Sequence, residues 1–226
     1  MSSVRRAPSL TDRHTAELRR MILTGELSPG EVVVEPRLAE HFASSKTPVR
    51  EALKRLADEG LISVLPKKGY LVRPMTPHDL AEVLDMRMLL EPHAAAEAAR
   101  RAEGAAVERL RDHLQRQDDV GEDDGPLGRT QQARHFHAEI ARASRNSRLE
   151  ASLQRCFEEM VRAHHVLPEL REHLELPDEM REHEEILTAI AQGRPGQAET
   201  AMREHLRTIH GSISARMAES SSLWRQ

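Results

Sequence analysis

A single cysteine, Cys156, is all the thiol chemistry in the 226 residues, so no internal disulfide can brace the fold. It falls in a helical pattern where a small buried hydrophobe is its simplest role, and no motif around it marks a nucleophile. Long apolar runs are missing as well. Nothing approaches the roughly 18 uninterrupted apolar residues of a spanning helix, which excludes an α-helical membrane span. No secretion leader is expected, because Met1–Leu10 carries arginines without a following apolar core, and the chain is expected to work in the cytoplasm. Compositional bias toward disorder is also absent: 38% hydrophobic and 31% charged residues suit a chain with a helical core, and the length suits two domains.

What is present is distributed unevenly. Residues 1–75 hold 13 Lys+Arg against 9 Asp+Glu, a net +4, and residues 76–226 hold 20 against 28, a net -8. All four lysines fall in the first part and eleven of the thirteen histidines in the second. A modestly basic module suited to phosphates is therefore expected, followed by an acidic, histidine-rich one.

In the basic part, apolar Leu18, Met21 and Ile22 place a helix over Leu10–Leu23, with Gly25 and Pro29-Gly30 as stops. A second helix is expected over 35–42. After Ala43-Ser44-Ser45 comes a third, over 46–59, with Val49, Ala52, Leu53 and Leu56 on one stripe and Ser45 or Thr47 as cap. Gly60 ends it. Two β-prone runs, Leu61–Leu65 and Tyr70–Arg73, flank Pro66-Lys67-Lys68-Gly69, a hairpin with a basic tip. Three helices and a hairpin spell a winged helix-turn-helix. Away from its core, Lys46, Arg50 and Lys54 recur every four residues on one face of the third helix. Arg50 suits guanine O6 and N7, Lys46 a base or phosphate, and the hydroxyls of Ser45 and Thr47 phosphates or base edges. Arg37, Lys67 and Lys68, with Gly69 beside them, are placed to meet phosphates. The blander alternative is a solvated charged surface in which Arg50 and Lys54 pair with Glu51 or Asp58.

The run Leu38-Ala39-Glu40-His41-Phe42-Ala43-Ser44-Ser45-Lys46-Thr47-Pro48-Val49-Arg50-Glu51-Ala52-Leu53, with Arg55-Leu56 and Glu59-Gly60-Leu61, resembles the DNA-binding domain of GntR-type bacterial transcription regulators. Two departures are visible. Lys46 stands where the family usually has arginine, keeping the charge but losing the planar fork. Ala43 stands where the turn usually has glycine, which matters only if the turn needs positive φ.

From Thr76 onward helix follows helix, so the fold is mainly α: a winged helix-turn-helix over 1–75 joined to an all-α bundle over 76–226. Thr76-Pro77-His78-Asp79 caps a long first helix that passes residue 98. Others are expected over 104–119, 129–144, 147–166, 178–192 and 196–219. Gly121–Gly128 reads as an acidic loop, Asn146 and Gly193 as helix stops, and Leu167–Leu176 as ambiguous between its prolines. His137, His183 and His205 each border an apolar face on a different helix, so they can converge on one cation such as zinc or nickel, or simply be satisfied by core hydrogen bonds. No local pair such as HExxH supports them. His135, two positions from His137, faces elsewhere, and adjacent His164 and His165 cannot share a face, so these three are set aside. Arg87 and Glu91 form an i, i+4 pair that supports the helix, and Arg87 equally suits a bound carboxylate.

Phe136-His137 with Asn146, the segment Glu182–Ile190 around His183, Ala198-Met202-His205-Leu206, and Arg87 with Glu91 resemble the ligand-binding FCD domain of FadR-type GntR regulators. The resemblance implies a divalent metal held by three histidines, carried here by His137, His183 and His205, beside a pocket for a small carboxylic acid. It also implies an aspartate ligand one turn before His137. That position is Ala133, a loss expected to weaken the metal and to make a bound carboxylate matter more. The expectation is a homodimeric, effector-responsive regulator that binds an inverted repeat in double-stranded DNA, with Arg87, His137, His183 and His205 at the effector. The competing classes are a histidine-metal enzyme on the helical domain and an effector-independent DNA binder.

Overall fold

Ser9 opens the first helix: its hydroxyl accepts from the Asp12 backbone N at 3.1 Å while the Asp12 carboxylate accepts from the Ser9 N–H at 3.0 Å. These reciprocal bonds satisfy donors that a helix start leaves orphaned. In this computed structural model, which describes residues 8–120, 125–167, 170 and 178–223, the chain divides into two compact units, Met1–Met75 and Thr76–Gln226. The first contains α1 (Leu10–Leu23), β1 (Val32–Val33), α2 (Glu35–His41), α3 (Lys46–Asp58), β2 (Ile62–Leu65) and β3 (Gly69–Val72). Helix α3 packs on α1 and α2, and Leu18, Ile22, Val49, Leu53 and Leu56 are all at most 1% exposed. Each such side chain contributes about 1.5–3 kcal/mol by leaving water. The winged helix-turn-helix is therefore built on the stripe that the sequence displays.

The sheet runs β1-β3-β2, antiparallel throughout, with Val33 opposite Tyr70 and Val64 opposite Tyr70 on the other side. Strand β1 is absent from the sequence reading, because two residues between Gly30 and Glu35 are too few to show alternation. It explains Gly69, whose φ is +113°: a Cβ there would lie 2.4 Å from the carbonyl oxygen of Val33. Helix α3 takes Ser45 as its N-cap residue, but neither Ser45 nor any other side chain makes the capping bond.

The second unit contains α4 (Pro77–Arg101), α5 (Gly104–Asp118), α6 (Gly125–Ala143), α7 (Ser147–Val166), α8 (Glu179–Ala191) and α9 (Pro195–Leu223). Helix α4 begins at the Thr76–Asp79 capping box and packs against α6, α7, α8 and α9. Its run of buried alanines, Ala94, Ala95, Ala96, Ala98 and Ala99, lets neighbouring backbones approach closely. Pro92 lies inside α4 and has no N–H to give the carbonyl one turn back. Cys156 is free and buried on α7, as a small hydrophobe would be.

Two boundaries need correction. The expected loop Gly121–Gly128 is helical from Gly125, so Gly125, Pro126 and Gly128 open α6 instead of separating helices, and its first four residues lie outside the described residues. Asn146 is a start, not a stop: its side chain accepts from the backbone N–H groups of Arg148 and Leu149, while Arg145 takes the left-handed conformation that ends α6. Most of the ambiguous stretch 167–176 also falls outside the described residues.

Ala43, in the turn between α2 and α3, sits at φ 45°. A Cβ in this region costs roughly 1–2 kcal/mol. Ala43→Gly is therefore expected to stabilise the protein by about 1 kcal/mol. A calorimetric melt of the amino-terminal unit's transition checks it, and an unchanged or lower midpoint would show that the turn is unstrained.

Candidate functional site

Every DNA-contact candidate but one is exposed: Arg37 on α2, Ser45, Lys46, Thr47, Arg50 and Lys54 at or on α3, and Lys67 and Lys68 at the wing tip, with Gly69 half-buried behind them. One of the two expected ion pairs forms and the other does not. Lys54 does pair with Glu51 at 2.9 Å, but Arg50 reaches across to α2. Its Nε and Nη2 donate to the Glu35 carboxylate at 2.7–2.9 Å, which uses one edge of the guanidinium and turns the Nη1–Nη2 edge away. That pairing lowers the Glu35 carboxyl and raises the Arg50 guanidinium from their ordinary values. Glu35 is thus a residue that sequence reasoning missed, since fifteen positions separate it from Arg50.

In the second unit, three helices bring His137 (α6), His183 (α8) and His205 (α9) together, each at most 3% exposed. Their Nε2 atoms form a triangle with sides of 3.2, 3.2 and 3.3 Å. Each Nδ1 is held from behind by an oxygen: Glu91 Oε2 on α4 for His137, Gln117 Oε1 on α5 at 3.1 Å for His183, and Glu182 Oε2 on α8 at 2.8 Å for His205. An acceptor at each Nδ1 keeps the proton there, so lone pairs are what the three Nε2 atoms turn toward one another. Unprotonated Nε2 atoms cannot hydrogen-bond among themselves. A cation would satisfy all three at once, and ligands on a tetrahedral ion with bonds of about 2.0–2.1 Å are separated by about 3.3–3.4 Å. The donor set therefore fits zinc or a similar divalent ion.

Electrostatics reinforce the neutral form. Burial, then the neighbouring imidazoles, push His183 well below its usual value. Burial likewise lowers His205, to about 4, against the opposing hydrogen bond of Glu182. Both imidazoles are therefore neutral at neutral pH, the form in which an imidazole can ligate a metal. Burial pushes the Glu91 carboxyl up, but the charge of Arg87 and the hydrogen bonds from His137 and Arg87 outweigh it and leave it lowered to about 2.

Arg87 makes the expected i, i+4 pair. Its Nε donates to Glu91 Oε1 at 2.5 Å, and its guanidinium carbon lies 5.5 Å from the centre of the Phe157 ring. It also faces a cavity of about 600 Å³, mouth included, lined by Arg87, Ala133, His137, Phe157, His164 and Glu179 among others. His164, set aside on spacing, is here: it is buried, with Nδ1 tied to the Met160 carbonyl oxygen at 2.8 Å. His135 turns the other way, toward His113. Removing Glu91 would leave Arg87 as an uncompensated buried cation, a change worth about 3–5 kcal/mol. Glu91→Ala is expected to destabilise the helical unit by that amount in equilibrium urea unfolding; a loss below about 1 kcal/mol would mean that water replaces the carboxylate.

Comparison with known proteins places these two geometries. Residues 10–72 match the model of the bacterial regulatory proteins of the gntR family, and residues 82–208 match the FCD domain. The chain is 33% identical over 208 residues to an HTH-type transcriptional regulator in an unstable DNA locus of Streptomyces ambofaciens, covering 92% of this chain and 86% of that one. It is 30% identical over 218 residues to the HTH-type transcriptional regulator LutR of Bacillus subtilis, covering 88% of this chain and 99% of that one. The fold of E. coli McbR/YncC superposes with a TM-score of 0.75 at 24% identity, over 95% of this chain and 100% of that one. No helix among the described residues is long and apolar enough to cross a membrane. A helix-turn-helix unit and an FCD unit in one chain, shared along nearly its whole length with transcriptional regulators, show that this protein belongs to the gntR family of bacterial transcription regulators.

Proposed function

We propose that the protein is a cytoplasmic homodimer that binds an inverted-repeat operator and changes its affinity for it when a small organic acid, held with the help of a divalent metal, fills the cavity of the helical unit. The observation that carries this reading is the convergence of three Nε2 lone pairs beside a cavity that Arg87 also faces. His137, His183 and His205 would hold the ion, which when bound supplies a Lewis-acidic anchor for a ligand oxygen. Arg87 orients the other end of a carboxylate: Glu91 engages its Nε, so the Nη1–Nη2 edge is the one offered to an anion. Glu91, Gln117 and Glu182 hold the imidazoles in the binding tautomer.

At the other unit, Arg50 reads base edges with the guanidinium edge that Glu35 leaves outward, and Lys46, Ser45 and Thr47 meet the neighbouring base edges or phosphates. Lys54 continues that face, and Arg37, Lys67 and Lys68 neutralise phosphates, with Gly69 allowing the wing its close turn. Two such heads related by a twofold axis fit half-sites about one helical turn apart. Effector and operator are linked reciprocally: whichever arrangement the acid favours, DNA feels by the same factor.

DNA fragments selected by the purified protein, with and without a panel of carboxylic acids, test the whole reading. Selection of no common sequence, or of one on which no acid has any effect, would count against it. On the selected operator, Arg50→Ala is expected to cost about 1–3 kcal/mol and to relax base preference, whereas Lys68→Ala weakens binding uniformly and makes the salt dependence shallower. Electrophoretic titration at several salt concentrations separates the two. For the helical unit, zinc or nickel is expected to raise the melting temperature of chelator-treated protein, and His183→Ala to abolish that rise. An equal rise in the variant would remove the histidines from the site.

A further inference from the structure

The family resemblance puts the anionic ligand of this site one turn before His137, where this chain has Ala133, buried and 7% exposed. On α8, one of the two other histidine helices, a carboxylate occupies the equivalent sequence position. Glu179, in the first turn of α8, is one turn before His183 and therefore on the same face. Its Oε1 lies 4.0 Å from His183 Nε2, the same nitrogen that closes the triangle with His137 and His205. It lines the cavity together with Ala133 and His137, and its side chain is only 19% exposed.

We propose that Glu179 is the anionic metal ligand of this protein, replacing from α8 the carboxylate that Ala133 omits from α6. The inference rests on the metal reading above and adds a ligand to it. Glutamate has one more methylene than aspartate and so more reach, which suits a donor that approaches from a different helix. Glu91 and Glu182 face Nδ1 atoms, on the far side of the rings from the lone pairs. Glu179 is the carboxylate set against an Nε2, where a cation would be. With it the ion would have three imidazoles and one carboxylate, a set that suits zinc and leaves room for expansion to a fifth donor from an effector. The positive charge offered to that effector is then lower by one than histidines alone would leave.

The full-length protein, stripped with a chelator and titrated with zinc, nickel or cobalt(II), provides the test, with the visible absorption of cobalt(II) reporting its donor set. Glu179→Gln and Glu179→Ala are expected to weaken binding at least tenfold, the loss that even an outer partner of a metal site commonly causes. Both should change the cobalt(II) spectrum while leaving the melting temperature of the metal-free protein near that of the parent. Introducing Ala133→Asp into Glu179→Gln is expected to restore affinity, because the carboxylate returns from the other helix. Tight binding with an unaltered affinity and spectrum in both Glu179 variants would overturn the assignment and leave the histidine site standing. No uptake of any of these ions by the parent or by Ala133→Asp would overturn the metal reading itself, and this inference with it.

Discussion

The helical unit is organised around the back of three imidazole rings. Imidazole has two nitrogens and one proton, and whichever nitrogen is engaged by an acceptor determines what the other can do. Here the acceptors are Glu91, Gln117 and Glu182, drawn from α4, α5 and α8, so three elements cooperate to aim the lone pairs of residues on α6, α8 and α9. The arrangement is costly without its supports. A buried carboxylate such as Glu91 is tolerable only because Arg87 and His137 meet both of its oxygens, and Arg87 is tolerable only because Glu91 and the face of Phe157 meet it. Helix, core and site are one problem solved together.

Much of this was legible in the sequence, and the limits of legibility have physical causes. The stripe Val49, Ala52, Leu53 and Leu56 and the Thr76–Asp79 cap announce their helices, because each signal is complete within a turn or two. His137, His183 and His205 could be picked out because each borders an apolar face. Their Nδ1 partners could not, since Gln117 is 66 positions from His183 and Glu91 is 46 from His137. No periodicity encodes such distances. Arg50 failed in the same way: carboxylates close in sequence were the expected partners, and the actual one, Glu35, belongs to another helix. His164 is not legible because adjacent residues cannot share a helix face, a rule that holds for the pair and does not say which member turns inward.

The punctuation marks were the least reliable. Glycine, proline and asparagine serve at either end of a helix, so Asn146 reads equally as the close of α6 or the opening of α7, and only Arg145 in the left-handed conformation decides. Gly125 and Gly128 looked like linker and lie within the first turn of α6. Ala43 shows the reverse case: a residue with nothing unusual in its chemistry occupies a conformation that its Cβ resists, and the backbone bonds of Ala43 and Ser44 to Glu40 and Ala39 hold it there.

The Glu35 clasp on Arg50 has an entropic side. A long cationic side chain loses several rotatable bonds' worth of freedom when it docks on anything, a cost of about 2 kcal/mol for arginine. Because a neighbouring helix already holds this guanidinium by one edge, part of that freedom is surrendered when the chain folds, before any partner arrives. Stability of the small domain carries the loss, and any partner that meets the outward edge is spared it.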